Sequence, residues 1–373
     1  MKLLIVGAGI MGLSAAWAMA RRGHDVTVVE QASIPNPLGS SVDQHRLIRY
    51  AYGDMAGYAA MVDEAFPAWD RVWQDLGESL YVQTGTLAVG TTGQDWLNAS
   101  AEVLKSQGHS IEMLAPHDLS RRFPLLTSDG VDHAFYLKTG GALLAGRIIE
   151  LLSHHLAQRG VTLMPHRRVV SVDPDGASLR LEDGRNLRAD RLIVAAGPWV
   201  RQLLPGPADR VVPSRQVVAY LTPPADKAAE WARMPMVLEI EPDRGFYLVP
   251  PVAGTGLKVG DHSFSMSGDP DADRDAGEEE TRALSRSCSN RLASFDRFSL
   301  DVGKVCFYTV HPPAERFVVE PIGSSAWLMT GFSGHGFKFG PLLGEAVADA
   351  LEDKRDGTEI TRWAAGFLDT RAD

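Results

Sequence analysis

Apolar positions change period several times along the chain, and each change marks an element. The sequence opens on a long apolar stretch with one early Lys, MKLLIVGAGIMGLSAAWAMARRG. A signal peptide or a membrane span has the same bulk composition. Three glycines, Gly7, Gly9 and Gly12, split this stretch into two patterns. Residues 3–6 form a short run of strand type. Residues 10–20 have helical composition and end on Arg21, Arg22 and Gly23, which suits a helix C-terminus. The pattern predicts strand, tight turn and helix, with no targeting segment and a cytoplasmic location. HDVTVVE follows as a second strand that ends at Glu30.

Further along, Met61, Ala65, Trp69 and Trp73 recur at every fourth position and predict a helix over 58–76. TGTLAVG at 84–90 reads as a strand, and polar helical stretches run on to 122. A helix near 144–159 leads into residues 161–197. There strand runs alternate with D-G turns, a β-meander that returns to the apolar strand LIVAAGPWV. Strands dominate 215–265. Residues 268–285 are a charged loop running into a helix, VCFYTV, RFVVEP and AWLMTGFSGHG are further strands, and a final helix spans 337–352.

Composition narrows the function classes. A hydrophobic share of 45% and a charged share of 23% are ordinary for a globular protein. They exclude disorder, collagen-like repeats and a membrane bundle. The 37 Lys plus Arg against 47 Asp plus Glu leave a net charge of −10, which disfavours nucleic acid, since phosphate contacts need clustered cations. Only Cys288 and Cys306 are present, so a disulfide framework and a zinc cluster are excluded.

G-x-G-x-x-G at Gly7, Gly9 and Gly12 carries the first chemistry. The first Gly permits the turn, the second lets backbone approach a pyrophosphate, and the third lets helix pack on strand. The helix N-terminus presents unpaired N–H groups to the phosphates. Glu30, 18 residues after Gly12, is placed to accept both ribose hydroxyls of an adenosine and to repel a 2′-phosphate. NADP is therefore disfavoured. The late strand LIVAAGPWV, with Gly197, resembles the strand of FAD-dependent oxidoreductases that brings backbone close to the cofactor.

Three more segments follow: HRLIRYAYG (45–53), GLKVGDHSF (256–264), and VCFYT (305–309) with GFSGHGFKFG (331–340). With GAGIMG, they resemble the monomeric sarcosine oxidase and N-methyltryptophan oxidase family of flavoproteins over nearly the whole chain. The resemblance implies FAD carried through a thioether on Cys306, with Arg46 as a cation beside the flavin. A thiolate there is a strong nucleophile if nearby cations lower its pKa. Val169, Gly197, Gly334, Gly336 and Phe337 are implied cofactor contacts, and the helix start from Gly334 to Phe337 directs its positive end at the flavin. Arg46 and Arg49 are three apart, and a helical or tight-turn segment sets them on one side. Arg49 and Lys338 match a pair that binds the substrate carboxylate, fork and point charge on one anion. Lys258 matches a lysine over the other flavin face that activates oxygen. His262, Tyr308 and His335 match residues lining the site. Cys288 matches nothing and reads as a core residue. The chain departs from the family at Val42, where His is usual, at His45, where Thr is usual, and at Phe307 and Val310. These departures bear on substrate preference more than on cofactor.

The expected architecture is α/β: a Rossmann-like FAD-binding domain from 1–85, 142–215 and 300–373, and a β-sheet-rich substrate domain from 86–141 and 216–299. The expected reaction oxidises the C–N bond of a small carboxylate-bearing secondary or N-methyl amine to an imine, with oxygen reduced to hydrogen peroxide, by a monomer. The rivals are a D-amino acid or cyclic imino acid oxidase or dehydrogenase, a flavoprotein subunit that needs a partner chain, and a non-enzymatic dinucleotide sensor.

Overall fold

A computed structural model describes residues 1–91, 93, 95–240, 245–313 and 315–368. Strand Lys2–Val6, helix Ile10–Arg21 and strand Asp25–Val29 form the expected opening unit. Both strands sit in a six-stranded sheet, in the order Val318–Ile322, Ala326–Thr330, Arg191–Val194, Lys2–Val6, Asp25–Val29, Thr162–Met164. All neighbours in it are parallel except the first pair. Its strands are apolar on both faces because helices and the meander cover them, as parallel sheets require. The apolar opening stretch is therefore core: residues Ile10 to Met19 of the helix are all buried. No helix among the described residues is long and apolar enough to cross a membrane.

The helix Ala56–Leu76 buries Met61, Ala65, Trp69 and Trp73 together, as their spacing predicts. Of the segment 161–197, the first strand joins the six-stranded sheet. Strands Val169–Asp173, Ser178–Leu181 and Asn186–Arg188 form the meander, and Arg191–Val194 returns to the sheet centre. The expected last helix divides into a 3-10 turn, Phe337–Phe339, and a helix, Gly340–Leu351. A further helix, Gly357–Ala364, is absent from the sequence reading. Asp356 caps it by accepting from the N–H groups of Thr358 and Glu359.

A second sheet has eight strands: Ser299–Val310, Val212–Thr222, Leu257–Asp261, Gly245–Val249, Met236–Ile240, Thr86–Thr91, Val131–Leu137 and Glu112–Leu114. Successive residues of a strand point to opposite faces, and residues paired across strands share a face. The pairs Gln216↔Cys306, Ser214↔Tyr308, Val218↔Lys304, Tyr220↔Lys258 and Tyr247↔Gly260 therefore put Tyr308, Cys306, Lys304, Tyr220, Lys258 and Tyr247 on one face. The other face carries Phe307, Val305, Val217, Ala219, Val259, Leu257, Leu248 and Val237, which pack into a separate apolar core with Cys288. Gly260 is needed on the polar face: a Cβ there would lie 2.4 Å from the Tyr247 ring. Phe307, one of the departures from the family, thus belongs to the apolar core.

Candidate active site

Two cavities meet between the sheets. The larger, about 1230 Å³ with its open mouth, is lined by Gly7, Gly9, Glu30, Asn36, Val42, Val169, Gly197, Gly336 and neighbours. The smaller, about 890 Å³, is lined by Arg49, Tyr52, Met55, Trp96, Leu238, Ile240, Asp261, His262, Phe264, His335 and Lys338 among others. Arg46, Tyr308, Gly334 and Phe337 line both and form their common wall.

The larger cavity fits a dinucleotide in detail. Gly7 has φ +102°, and a Cβ on Gly12 would lie 1.9 Å from the Gly7 carbonyl oxygen, so the turn tolerates no side chain at either. The helix Ile10–Arg21 begins at Gly9, which has no side chain to cap it, and has no acidic residue in its first turn; Ser41 Oγ takes the Ile10 N–H at 2.9 Å, and the positive end is otherwise left for phosphate. The Glu30 carboxylate is held by three donors: Ala8 N at 2.9 Å, Ala32 N at 3.1 Å and Asn36 Nδ2 at 2.9 Å. Val169 and Gly197 line the same space, as the resemblance implies. Asn36, Ser41, Arg167 and Arg168 join them there without having been singled out from the sequence.

Arg46 begins a strand, Arg46–Ile48, rather than a helix or tight turn, because Arg46, Leu47 and Ile48 pair with Leu143, Ala142 and Gly141. A spacing of three in extended chain does not set two side chains on one side, so that expectation is corrected. Arg46 lies on the common wall. Arg49, just past the strand, lines the smaller cavity only.

In the smaller cavity, Arg49 and Lys338 approach the same ring. The Arg49 guanidinium carbon lies 4.6 Å, and the Lys338 Nζ 5.1 Å, from the centre of Tyr52. Lys338 donates to the Tyr52 hydroxyl at 2.7 Å and the His335 carbonyl at 3.0 Å, and Arg49 donates to the Ala51 carbonyl. Among the described residues no carboxylate forms an ion pair with either. Burial lowers both basic pKa values, and Arg49 pushes Lys338 down further, so Lys338 falls well below the ordinary lysine range. Two buried cations side by side without a counter-ion make a site for an anion. Burial also lowers His335 well below its usual value and takes His262 down to about 4, so both imidazoles are neutral at pH 7.

Lys258 and Cys306 lie just behind the common wall. Lys258 is 1% exposed, and Cys306 follows Val305 and precedes Phe307 on the strand Ser299–Val310. The sequence reading missed the partner of Lys258. Its Nζ donates to Asp43 Oδ2 at 2.5 Å, and the same carboxylate takes Arg46. Burial lowers the Lys258 pKa, Asp43 raises it, and the balance is about 8. For Cys306, burial raises the thiol pKa and outweighs the downward pull of Arg46 and Lys258. The expectation of a thiol lowered by its cations is corrected: they are present, but desolvation of the thiolate dominates. Cys288 is wholly buried, its thiol donating to Ser285 O at 3.0 Å and pushed up to about 12. It has no access to either cavity. Val42 lines the larger cavity, while His45 is fully buried behind it, its pKa lowered by burial to about 4.

Comparison with known proteins agrees with this geometry. Monomeric sarcosine oxidase of Bacillus sp. (strain B-0618) is 28% identical over 369 residues, which cover 95% of this chain and 93% of that protein. N-methyl-L-tryptophan oxidase of Yersinia pestis (strain Pestoides F) is 25% identical over 375 residues, covering 97% and 98%. Among solved structures, L-proline dehydrogenase from P. horikoshii shares the fold, with a TM-score of 0.83 over 98% of this chain and 96% of that one at 19% identity. The model of the FAD dependent oxidoreductase family matches residues 2–350. The glycine turn, the fixed Glu30 and the second, cationic cavity thus belong to one assignment: this chain is a member of the FAD dependent oxidoreductase family, and an FAD-dependent enzyme.

Proposed function

We propose that the protein oxidises the C–N bond of a small, carboxylate-bearing secondary or N-methyl amine to the imine, which water then hydrolyses. The amine gives up two electrons and two protons, and oxygen takes them up as hydrogen peroxide. The observation that carries this reading is the pair Arg49 and Lys338, two buried basic side chains that form no ion pair with a carboxylate among the described residues, in a cavity that shares a wall with the dinucleotide cavity. FAD, when bound, supplies the two-electron acceptor. Gly7, Gly9, Gly12 and Glu30 would hold its adenosine diphosphate part, and Arg46, Tyr308, Gly334, Gly336 and Phe337 its ring end.

The chain's own residues bind and orient. Arg49 and Lys338 fix the carboxylate, which places the neighbouring C–N bond toward the common wall. His262 and His335, held neutral by burial, can accept hydrogen bonds without repelling an incoming amine. Asp261 and Glu315 also line the cavity, both carboxyls raised by burial, Asp261 to about 6, and the substrate enters as the neutral amine. Leu238, Ile240, Phe264, Met55 and Trp96 bound the space for the substrate's other substituents and exclude water. Lys258 supplies positive charge behind the wall, where reduction of oxygen develops negative charge. Cys306, whose thiol is raised by burial against the pull of Arg46 and Lys258, would be the residue to hold FAD through a thioether. The six-stranded sheet side is the FAD-binding domain and the eight-stranded sheet side the substrate domain, and the protein acts as a monomer, like the sarcosine oxidases to which it is similar.

A peroxide-coupled screen of the purified yellow protein over N-methyl, D- and cyclic amino acids tests the reading. Turnover is expected with N-methyl amino acids and is expected to fall when the carboxylate is replaced by an amide. Equal turnover of acid and amide would overturn the role of the cation pair.

A further inference from the structure

Asp43 is 5% exposed and gathers more charge than any other carboxylate near the site. Its Oδ2 accepts from Lys258 Nζ at 2.5 Å and from Arg46. Its Oδ1 accepts from the Tyr220 hydroxyl at 2.5 Å and from the Gln44 N–H at 2.9 Å, and Lys304 Nζ stands 3.5 Å away. Its own carbonyl is pinned by the Gly146 N–H at 2.8 Å, which docks this loop on the helix Ala145–Gln158. Arg46 is tied further to the Ser40 and His45 carbonyls, and Lys258 reaches the His45 carbonyl at 3.4 Å. One carboxylate thus faces three cations, and the groups around it come from its own loop and the strand Arg46–Ile48, and from the strands Leu257–Asp261, Val212–Thr222 and Ser299–Val310.

We propose that Asp43 is a positioning residue: it clamps Lys258 and Arg46 side by side behind the wall common to the two cavities and keeps Lys258 as a fixed ammonium. The first role would orient the two cations toward the cofactor's ring end and toward Cys306. The second matters because a lysine so deeply buried would shed its proton without an anionic partner. The consequence for oxygen rests on the reading of Lys258 given above; the clamp itself does not.

Burial pushes the Asp43 carboxyl up, but Lys258, Arg46 and Lys304 together draw it well below the usual carboxylate range. It is therefore an anion near pH 7. The groups that face Lys258 are Asp43, Arg46, Tyr247, whose ring centre lies 5.9 Å from Nζ, Tyr220, His45, Cys306 and, through Asp43, Lys304. The tyrosines and Cys306 are raised by burial and His45 is lowered by it, so all are neutral near pH 7. Asp43 is the one anion in the set. An opposite charge at this distance moves a pKa by roughly 1–3 pH units. Asp43→Asn keeps the shape and removes the charge, and its amide nitrogen can no longer accept where one carboxylate oxygen did.

The test follows the Lys258 side-chain ammonium of the holoenzyme by 15N NMR across pH 5.5–9, with Lys258→Met to assign the signal. In the wild type the signal is expected to titrate near pH 8. In Asp43→Asn it is expected to titrate at least about one pH unit lower, and Asp43→Glu is expected to restore it. Lys304→Met, a change at a half-exposed side chain, removes a competing cation and is expected to move the titration upward. An unmoved titration in Asp43→Asn, or an unmoved or downward one in Lys304→Met, would overturn the proposal. In parallel, the rate at which substrate-bleached enzyme regains its colour in air is measured against pH. Its alkaline break is expected to move with the Lys258 signal, while the bleaching step keeps its own profile. If Lys258→Met regains colour at the wild-type rate, the oxygen reading of Lys258 falls, and the NMR titration alone decides the clamp.

Discussion

Carboxylate binding in the smaller cavity should be coupled to proton uptake. In the free protein Lys338 is buried beside Arg49 with no ion-paired carboxylate among the described residues, and burial and Arg49 together draw its pKa well below the ordinary lysine range. An anion placed between the two cations reverses that cause and restores the ammonium. Between the depressed free value and the restored bound value, the complex therefore holds more protons than its parts. Affinity must fall as pH rises through that window, by up to about tenfold, or ~1.4 kcal/mol, per pH unit. A hydrogen bond to a charged group contributes about 1.5–3 kcal/mol, so Lys338→Met should weaken carboxylate binding roughly 10- to 150-fold. The assay is titration calorimetry of the holoenzyme with an inert short carboxylate such as propionate, at pH 7, 8 and 9, in buffers of low and high ionisation enthalpy. The wild type should take up a sizeable fraction of a proton, and Lys338→Met should take up none and lose the pH slope. A wild-type complex with no uptake and the same affinity at all three pH values would refute the reasoning, as would full affinity in Lys338→Met.

Two further outcomes are expected. Acid-precipitated protein should stay yellow while Cys306→Ser releases its colour to the supernatant; colour released from the unmutated protein would remove the tether. His45, lowered by burial from the ordinary histidine value of about 6.5 to about 4, stays neutral in the fold while the unfolded chain binds its proton, so stability is lost as pH falls from 6.5 to 4. That loss is about 3 kcal/mol for this residue, and urea unfolding of His45→Gln at pH 7, 5.5 and 4.5 should show it removed; parallel curves for variant and wild type would count against it.

Wherever the information is local, the chain is readable. The glycine turn, Glu30 at the strand end and the four-residue spacing of Met61, Ala65, Trp69 and Trp73 are short-range patterns, and the structure keeps all of them. The helical or tight-turn reading of Arg46 and Arg49 failed for the converse reason, although both line the smaller cavity. Nothing between 45 and 53 announces that the segment will pair with Gly141–Leu143, and pairing turned a supposed turn into a strand. The helix Gly357–Ala364 was legible in the Asp356 cap but was passed over behind a longer apolar helix.

The sequence by itself determined the α/β class, the dinucleotide turn and the family, because strand and helix periods and a glycine spacing are written in consecutive residues. Tertiary structure decided what surrounds each reactive group. Strand register placed Tyr308, Cys306, Lys304, Tyr220, Lys258 and Tyr247 on one face although they span nearly ninety residues, and it set Asp43, 215 positions away from Lys258, against its amine. It also decided charge. Burial lowers Lys258 and Lys338 and raises Cys306, and desolvation depends on what packs around a group, which no spacing along the chain encodes.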